Sequence, residues 1–453
     1  MKKVLVISYY WPPSGGSGVQ RWVKMCKYLP SLGWLPVVYT PENPALTSTD
    51  TSLEADVPSE VEVLRRPILE PGQFARKSTN AQVTPINSQK KTLKQRIAMW
   101  IRGNCFIPDP RVLWVRPSVS FLKEYLKGHP VDAIVSTGPP HSMHLIAKKV
   151  AAATGIPWVA DFRDPWTKMF YFKHLSLTAL SERRHAALEK SVLDSATRVV
   201  AVSPLVRKDF QGMTQTPVEL ITNGFDADDF PVSAGADATG RTGVKPDTAQ
   251  SSSIAEPGRF TLLHAGLFAS DGNPESLWEA LGLMVKENKD FADNFRLVLC
   301  GKTDKEILDS IDGNGLSDNA ENLGYLEHTK VVKQMQAASI LLLPLRKEPE
   351  YKATLPGKLF EYLAARRPIL GIGQKDGAMA SILSEAKAGE TFDWEEQQQM
   401  RLFLEEQYKR FKAGETTNCI GDIEKYSRRA VAASYARLLD SICSKNHLKT
   451  GSK

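Results

Sequence analysis

Short runs of β-branched and apolar residues recur along this chain, each followed by a turn and then an amphipathic stretch, and that alternation limits the fold more than any single motif does. In the first half the runs are Val4–Ser8, Val37–Thr40, Ala133–Thr137, Trp158–Phe162, Val199–Ser203 and Val218–Thr222. In the second half they are Phe260–Ala265, Phe295–Gly301, Asn322–Leu326, Ile340–Leu345 and Pro368–Gly373. Strands that read as nearly continuous apolar runs are buried on both faces, and helical crossovers between them make the strands parallel. The expected fold is therefore α/β, with two Rossmann-like, doubly wound parallel-sheet domains. At 453 residues the chain is too long for one core. From Val232 to Gly258 it is rich in Ser, Ala, Gly, Thr and Asp and almost free of large apolar residues, so that stretch cannot fold alone. This gives a first domain over residues 1–230, a linker or insertion over 231–258, a second domain over 259–420, and a C-terminal helix over 421–453. That helix is expected to pack back on the first domain and to fray at its Ser- and Lys-rich end. A polar stretch over 76–95 interrupts the first domain as a surface excursion.

Composition narrows the class of function. A net charge of +7 with 42% hydrophobic and 8% aromatic residues excludes a disordered chain. It fits an anionic substrate or an anionic membrane surface better than a nucleic-acid binder. The five cysteines are scattered, with no C-x-x-C pair, which argues against a disulfide framework or a zinc site and for a reducing, cytoplasmic setting. Val4–Ile7 is too short for a signal h-region and reads as a first strand, and no run of apolar residues is long enough to span a bilayer. Lys90, Lys91, Lys94 and Arg96 precede Ile97, Met99, Trp100 and Ile101, and Arg102 follows. This segment reads either as a basic helix resting on anionic lipid at the inner face of a membrane or as a packed helix with solvated cations.

Three segments at strand ends carry polar chemistry in the first half. The first strand runs into Trp11-Pro-Pro-Ser-Gly15-Gly16-Ser17-Gly18-Val-Gln-Arg21, a glycine-rich turn that opens a helix and can bring backbone N–H groups to an anion. It lacks the Gly-Lys-Ser/Thr of a Walker loop and the spacing of a dinucleotide fingerprint, so a nicotinamide cofactor is not expected. Ser136-Thr-Gly-Pro-Pro-His141-Ser-Met-His144 and Asp161-Phe-Arg163-Asp164-Pro-Trp166 each follow a strand, where ligands bind in open α/β sheets. His141 can bond a sugar hydroxyl and Arg163 can hold a phosphate or carboxylate, while Arg163 could equally pair with Asp161 or Asp164, and His144 could cap the helix. Asn223-Gly224 marks a tight turn where a hinge or a ligand contact could lie.

In the second half, Leu355-Pro356-Gly357-Lys358-Leu359-Phe-Glu361 opens a short helix with a cation and a carboxylate on one face. Helix N-terminal N–H groups and Lys358 suit a diphosphate, and Glu361 suits the hydroxyls of a ribose. The alternative is an i,i+3 ion pair on a helix whose core face is Leu359, Phe360, Leu363 and Ala364.

Taken in order, the Gly15–Gly18 loop, the Asn223-Gly-Phe-Asp226 turn, His264-Ala-Gly266-Leu and Pro356-Gly-Lys358-Leu-Phe-Glu361 resemble the family 4 glycosyltransferases of GT-B architecture, two such domains with a cleft between them. The resemblance implies transfer of a sugar from a nucleotide-sugar donor to a hydroxyl acceptor, in surface polysaccharide or glycolipid synthesis, with the nucleotide on the second domain and the acceptor on the first. It implies that Glu361 holds the donor ribose, that Leu355–Leu359 faces the base and diphosphate, that His141 meets the transferred sugar, and that the glycine loop approaches the diphosphate. It further implies retention of anomeric configuration and no metal or other cofactor. The chain departs from the family pattern twice. The position eight before Glu361 is Ala353 rather than Glu, with Glu348 and Glu350 nearby, and the loop after Gly266 has no cation. Lys302, Arg346, Lys352 or Lys358 must then neutralise the leaving group, and Lys358 is the preferred clamp. Two other classes remain open from sequence, an epimerase of the same two-lobed fold and a non-catalytic partner.

Overall fold

The computed structural model describes residues 1–45, 49–70, 93–230, 258–415 and 421–450. Most of the expected excursion over 76–95, including Lys90 and Lys91, and nearly all of the 231–258 linker lie outside the described residues. The chain forms two compact units, Met1–Asn223 with Arg428–Lys453, and Gly224–Ser427. The division therefore falls at the Asn223-Gly224 turn, ahead of residue 230, and the chain returns to the first unit after Ser427.

The first unit is built on a seven-stranded sheet. Its strands are β1 (Lys2–Ile7), β2 (Trp34–Pro41), β3 (Glu62–Arg66), β4 (Ala133–Gly138), β5 (Trp158–Phe162), β6 (Arg198–Ala201) and β7 (Val218–Leu220). They lie in the order β3-β2-β1-β4-β5-β6-β7 and pair in parallel throughout. The chain winds outward from β1 to β3 and then restarts at β4 on the other side of β1. Such a reversal leaves a crevice at the carboxyl ends of β1 and β4, where a ligand can reach backbone groups without displacing a crossover. The helices α1 (Ser17–Tyr28), α2 (Leu93–Cys105), α3 (Val115–Gly128), α4 (Ser142–Thr154), α5 (Ala179–Ser195) and α6 (Pro204–Met213) connect these strands. One face of the sheet is closed by Trp22, Val23 and Cys26 of α1, packed with Val431, Tyr435 and Leu439 from the C-terminal segment.

The second unit has a six-stranded parallel sheet in the order β10-β9-β8-β11-β12-β13. Its strands are β8 (Phe260–Ala265), β9 (Phe295–Cys300), β10 (Ala320–Gly324), β11 (Ile340–Pro344), β12 (Ile369–Ile372) and β13 (Gly389–Phe392). The same reversal occurs here between β8 and β11, so a crevice opens beside Gly266 and Arg346. The helices in order are α7 (Glu275–Glu287), α8 (Lys289–Asn294), α9 (Lys305–Gly313), α10 (His328–Ala337), α11 (Gly357–Ala365), α12 (Ala378–Glu385) and α13 (Gln397–Lys412). The final helix, α14 (Arg428–Thr450), belongs to the first unit.

Candidate functional site

In the first unit the glycine loop is shaped by what surrounds it. Gly16 has φ of +98°, a left-handed conformation that suits only glycine, and it precedes the first turn of α1. Gly18 has no room for a side chain, because a Cβ there would meet the Arg163 guanidinium at 2.6 Å and the Tyr10 ring at 3.3 Å. Gly15, half-buried, precedes Gly16 in the loop between β1 and α1. Arg163, just past β5, donates to the carbonyl of Gly18 at 2.8 Å and to that of Pro139, and its guanidinium lies over the Tyr10 ring. It joins the turns that follow β1, β4 and β5. Its partners are carbonyls, not the Asp161 or Asp164 carboxylate that the sequence offered, and its Nε is buried with no hydrogen-bond partner among the described residues.

Asp161 is committed elsewhere. Arg21 donates through Nε and NH2 to both Asp161 oxygens at 3.1 and 2.9 Å, and Trp22 Nε1 adds a third bond at 2.8 Å. Burial pushes the Asp161 carboxyl up, but the charge and hydrogen bonds of Arg21 outweigh it and hold the group below the usual range. The other guanidinium hydrogens go to the carbonyls of Ile221 and Thr222 and to Asn223 Oδ1. Asp161 and Asn223, read from sequence as binding residues, therefore serve the frame of the first unit through Arg21. Sequence reasoning missed this because the partners are far apart in the chain and no periodicity links them.

His141 stands at the start of α4 and is only 4% exposed, yet neither ring nitrogen has a hydrogen-bond partner among the described residues. Its ring stacks on Trp166 at 4.6 Å and 2°, which fixes the ring plane. Burial, together with the nearby His144 and Arg163, lowers its pKa well below the usual value, so the imidazole is neutral. A buried polar side chain without partners is rare in a folded protein. His144 does not cap the helix. It is buried, with Nδ1 2.8 Å from Ser136 Oγ, and Asp109 instead accepts from the backbone N–H of Ser142 at 2.9 Å.

In the second unit, Lys358 lies on the first turn of α11, whose N-cap is Pro356, and Glu361 follows three residues on. No Lys358–Glu361 ion pair within 4 Å forms among the described residues. Glu361 instead approaches His328 at 3.5 Å. The Lys358 ammonium turns toward the end of β8, where Gly266 has φ of +105° and a Cβ would coincide with the lysine's Nζ and Cε. Desolvation lowers the Lys358 pKa to about 8, with Glu361 opposing the shift in part. His264, 3% exposed beside it, is pushed down to about 3 by burial and then by the Lys358 charge. Among the described residues Lys358 has no ion-pair partner, and its charge lies at a helix N-terminus, where the exposed N–H groups favour anions.

The remaining cations near this crevice are occupied or remote. Arg346 pairs with Asp271 of the loop after Gly266 at 2.8 Å, and Lys352 pairs with Asp376. Lys302 is exposed. Leu355 and Leu359 are buried, so their side chains serve the core, and Gly357 is the exposed backbone position of the turn. Glu348, displaced from the Ala353 position, has one buried carboxylate oxygen with no hydrogen-bond partner among the described residues. Among the described residues no group of three or more His, Cys, Asp or Glu side chains is arranged to hold a metal ion.

The family described as Glycosyltransferase Family 4 matches residues 16–229, and that described as Glycosyl transferases group 1 matches residues 259–401. No curated protein matches the sequence. Several solved structures are similar over nearly their whole length. An alpha,alpha-trehalose-phosphate synthase (UDP-forming) from Burkholderia vietnamiensis has a TM-score of 0.60 at 10% identity, covering 98% of this chain and 99% of its own. Sucrose-phosphate synthase from Thermosynechococcus elongatus has a TM-score of 0.57 at 12% identity, covering 99% of this chain and 98% of its own. WaaG, a glycosyltransferase involved in lipopolysaccharide biosynthesis, has a TM-score of 0.50 at 17% identity, with 98% of each chain covered. At these identities the likeness is one of fold. With both family matches in place, the chain belongs to the family 4, group 1 glycosyltransferases of GT-B architecture.

Proposed function

We propose that this glycosyltransferase moves a sugar from a nucleotide-sugar donor to a hydroxyl acceptor, with retention of configuration and without a metal, in the synthesis of a surface polysaccharide or glycolipid. The observation that carries the donor assignment is the Lys358 ammonium at the N-terminus of α11, without an ion-pair partner among the described residues, with Glu361 three residues on. Lys358 neutralises the leaving diphosphate, a role otherwise given to a metal or a second cation, and one such group is worth about 3 kcal/mol of transition-state stabilisation. Glu361 accepts hydrogen bonds from the ribose hydroxyls. In the first unit, His141 contacts the transferred sugar through a ring nitrogen that lacks a partner among the described residues, and Arg163 holds the glycine loop in the shape that an anion can approach.

Support for a membrane setting comes from α2. Leu93, Ile97, Trp100 and Ile101 are all exposed at helical spacing, Arg96 and Arg102 are exposed beside them, and the helix has no acidic residue. An apolar, Trp-bearing stripe flanked by cations suits the surface of an anionic bilayer, where a lipid-linked acceptor would be met. No described helix is long and apolar enough to cross a membrane.

The function is tested by release of nucleoside diphosphate from a panel of nucleotide sugars with and without acceptors, in the native chain and in Lys358→Ala and Glu361→Ala. Loss of turnover in both variants supports the site. Full activity in both removes it, and conversion of donor without any acceptor points to epimerisation.

A further inference from the structure

The indole N–H of Trp158, on β5, can only donate, and it donates to Ser136 Oγ at 2.9 Å. The same hydroxyl lies 2.8 Å from His144 Nδ1, and all three side chains are buried, none more than 1% exposed. Because Ser136 already accepts from the indole, it satisfies its own hydrogen by donating to Nδ1. The ring hydrogen of His144 then sits on Nε2. The opposite tautomer would make the hydroxyl accept twice and bury its hydrogen without an acceptor, which is costly in a dry interior. His144 Nε2 has no hydrogen-bond partner among the described residues, and neither does His141 Nδ1. Both face the bare Cα of Gly138, where a Cβ would lie 2.5 Å from His144 Nε2 and 3.1 Å from His141 Nδ1.

Two ring nitrogens that flank one spot in a low-dielectric pocket influence each other through their dipoles. An N–H at His144 Nε2 favours a lone pair, and disfavours a second N–H, at His141 Nδ1. We propose that Trp158, Ser136 and His144 are positioning residues that set His141 in its Nε2–H tautomer, so that His141 offers a hydrogen to an acceptor oxygen of its ligand. The tautomer follows from this geometry alone, and its use on the transferred sugar rests on the function proposed above. Trp166, stacked parallel on His141, holds the donor direction, and Gly138 is the residue that leaves the two imidazoles open to each other.

Imidazole 15N chemical shifts of the full chain at neutral pH test the proposal. The expected result is the neutral Nε2–H signature for both His141 and His144. Ser136→Ala should turn His144 into a tautomer mixture, shift His141 toward Nδ1–H, and lower kcat about tenfold with little change in the KM for donor, since the lost contact acts at the reacting centre. Ser136→Thr, which keeps the hydroxyl, should restore both readings. A ring hydrogen on Nδ1 of His144 in the native chain overturns the proposal without any variant, as does Ser136→Ala that leaves the His141 tautomer untouched. Undiminished transfer by His141→Ala would instead remove the sugar contact while leaving the tautomer result in place.

Discussion

The ammonium of Lys358 occupies the space that a side chain at Gly266 would need. A lysine on α11 and a glycine at the end of β8 thus share one small volume, and the cation is held in the second unit's crevice by the absence of a Cβ. Gly266→Ala should evict Lys358 and strain the backbone, because a non-glycine residue at φ of +105° costs roughly 1–2 kcal/mol. Calorimetric titration with a nucleotide sugar should show at least about a tenfold loss of affinity, equivalent to about 1.4 kcal/mol. In a Lys358→Ala background the further loss should be much smaller, since the cation is already gone.

Binding should also report the protonation of Lys358. Its pKa in the free protein is about 8, and a diphosphate beside it favours the charged form and raises that value. Below pH 8 the ammonium is already charged, so affinity is flat. Above it, binding must first take up a proton, and affinity falls as pH rises, by up to about tenfold per unit. Titrations in buffers of different ionisation enthalpy should show little proton uptake at pH 7 and clear uptake at pH 9. Lys358→Arg should flatten the dependence.

The Arg21–Asp161 pair is fully enclosed, with side chains 1% and 0% exposed. Removing one member leaves the other charged and buried, which costs about 3–5 kcal/mol. Asp161→Asn and Arg21→Leu should each lower the stability of the chain by that order in denaturant unfolding, while the double variant costs less than the sum. A change below about 1 kcal/mol in either single variant would show that the pair is not what holds Ile221, Thr222 and Asn223 in place.

Buried neutral histidines make the fold sensitive to acid. The folded His144 has a pKa of about 3, below the ordinary 6.5, so between these values the unfolded chain binds the extra proton. Stability present above pH 6.5 is lost as pH falls through that window, by up to about 1.4 kcal/mol per unit for this residue. Unfolding midpoints at pH 7 and pH 5 should differ less in His144→Phe than in the native chain.

If α2 rests on lipid, vesicles containing an anionic phospholipid should sediment the native chain and neutral vesicles should not. Raised salt should weaken the binding, and Ile97→Ser with Trp100→Ser should abolish it while leaving turnover on a soluble acceptor intact. Retained sedimentation in that variant would remove α2 as the contact.

The strands that the sequence shows clearly are the interior ones. Trp158–Phe162 and Phe260–Ala265 are read with their observed bounds because both faces are covered and the apolar run is unbroken. The runs miss β3 and β13, one of the two edge strands of each sheet, whose exposed residues include Glu62, Arg65, Arg66 and Glu390. Edge strands carry such residues, so their apolar signal is weak. At the site, helix-start chemistry makes Lys358 and Glu361 legible, and the glycine loop is legible as a turn. What that loop is braced against is not: Arg163 reaching Gly18, Arg21 reaching Asp161 and Lys358 reaching Gly266 are long-range contacts that no local pattern encodes. His144 could be seen as a helix-start residue, but its bond to Ser136 depends on how the turn after β4 brings α4 back along the strand, and the Trp158 bond to the same hydroxyl depends on the register of β4 and β5.

The most direct test of the nucleotide site is thermal unfolding of the native chain and of Lys358→Ala and Glu361→Ala across a panel of nucleotide sugars. A ligand that binds only the folded state stabilises by about 2.7 kcal/mol at a hundred times its Kd. One donor class should raise the melting temperature of the native chain in proportion to the logarithm of its concentration, and each variant should lose most of that shift while unfolding at nearly the native temperature without ligand. A shift of equal size in both variants, or none in the native chain with any donor, would contradict the assignment of Lys358 and Glu361 as the diphosphate and ribose contacts.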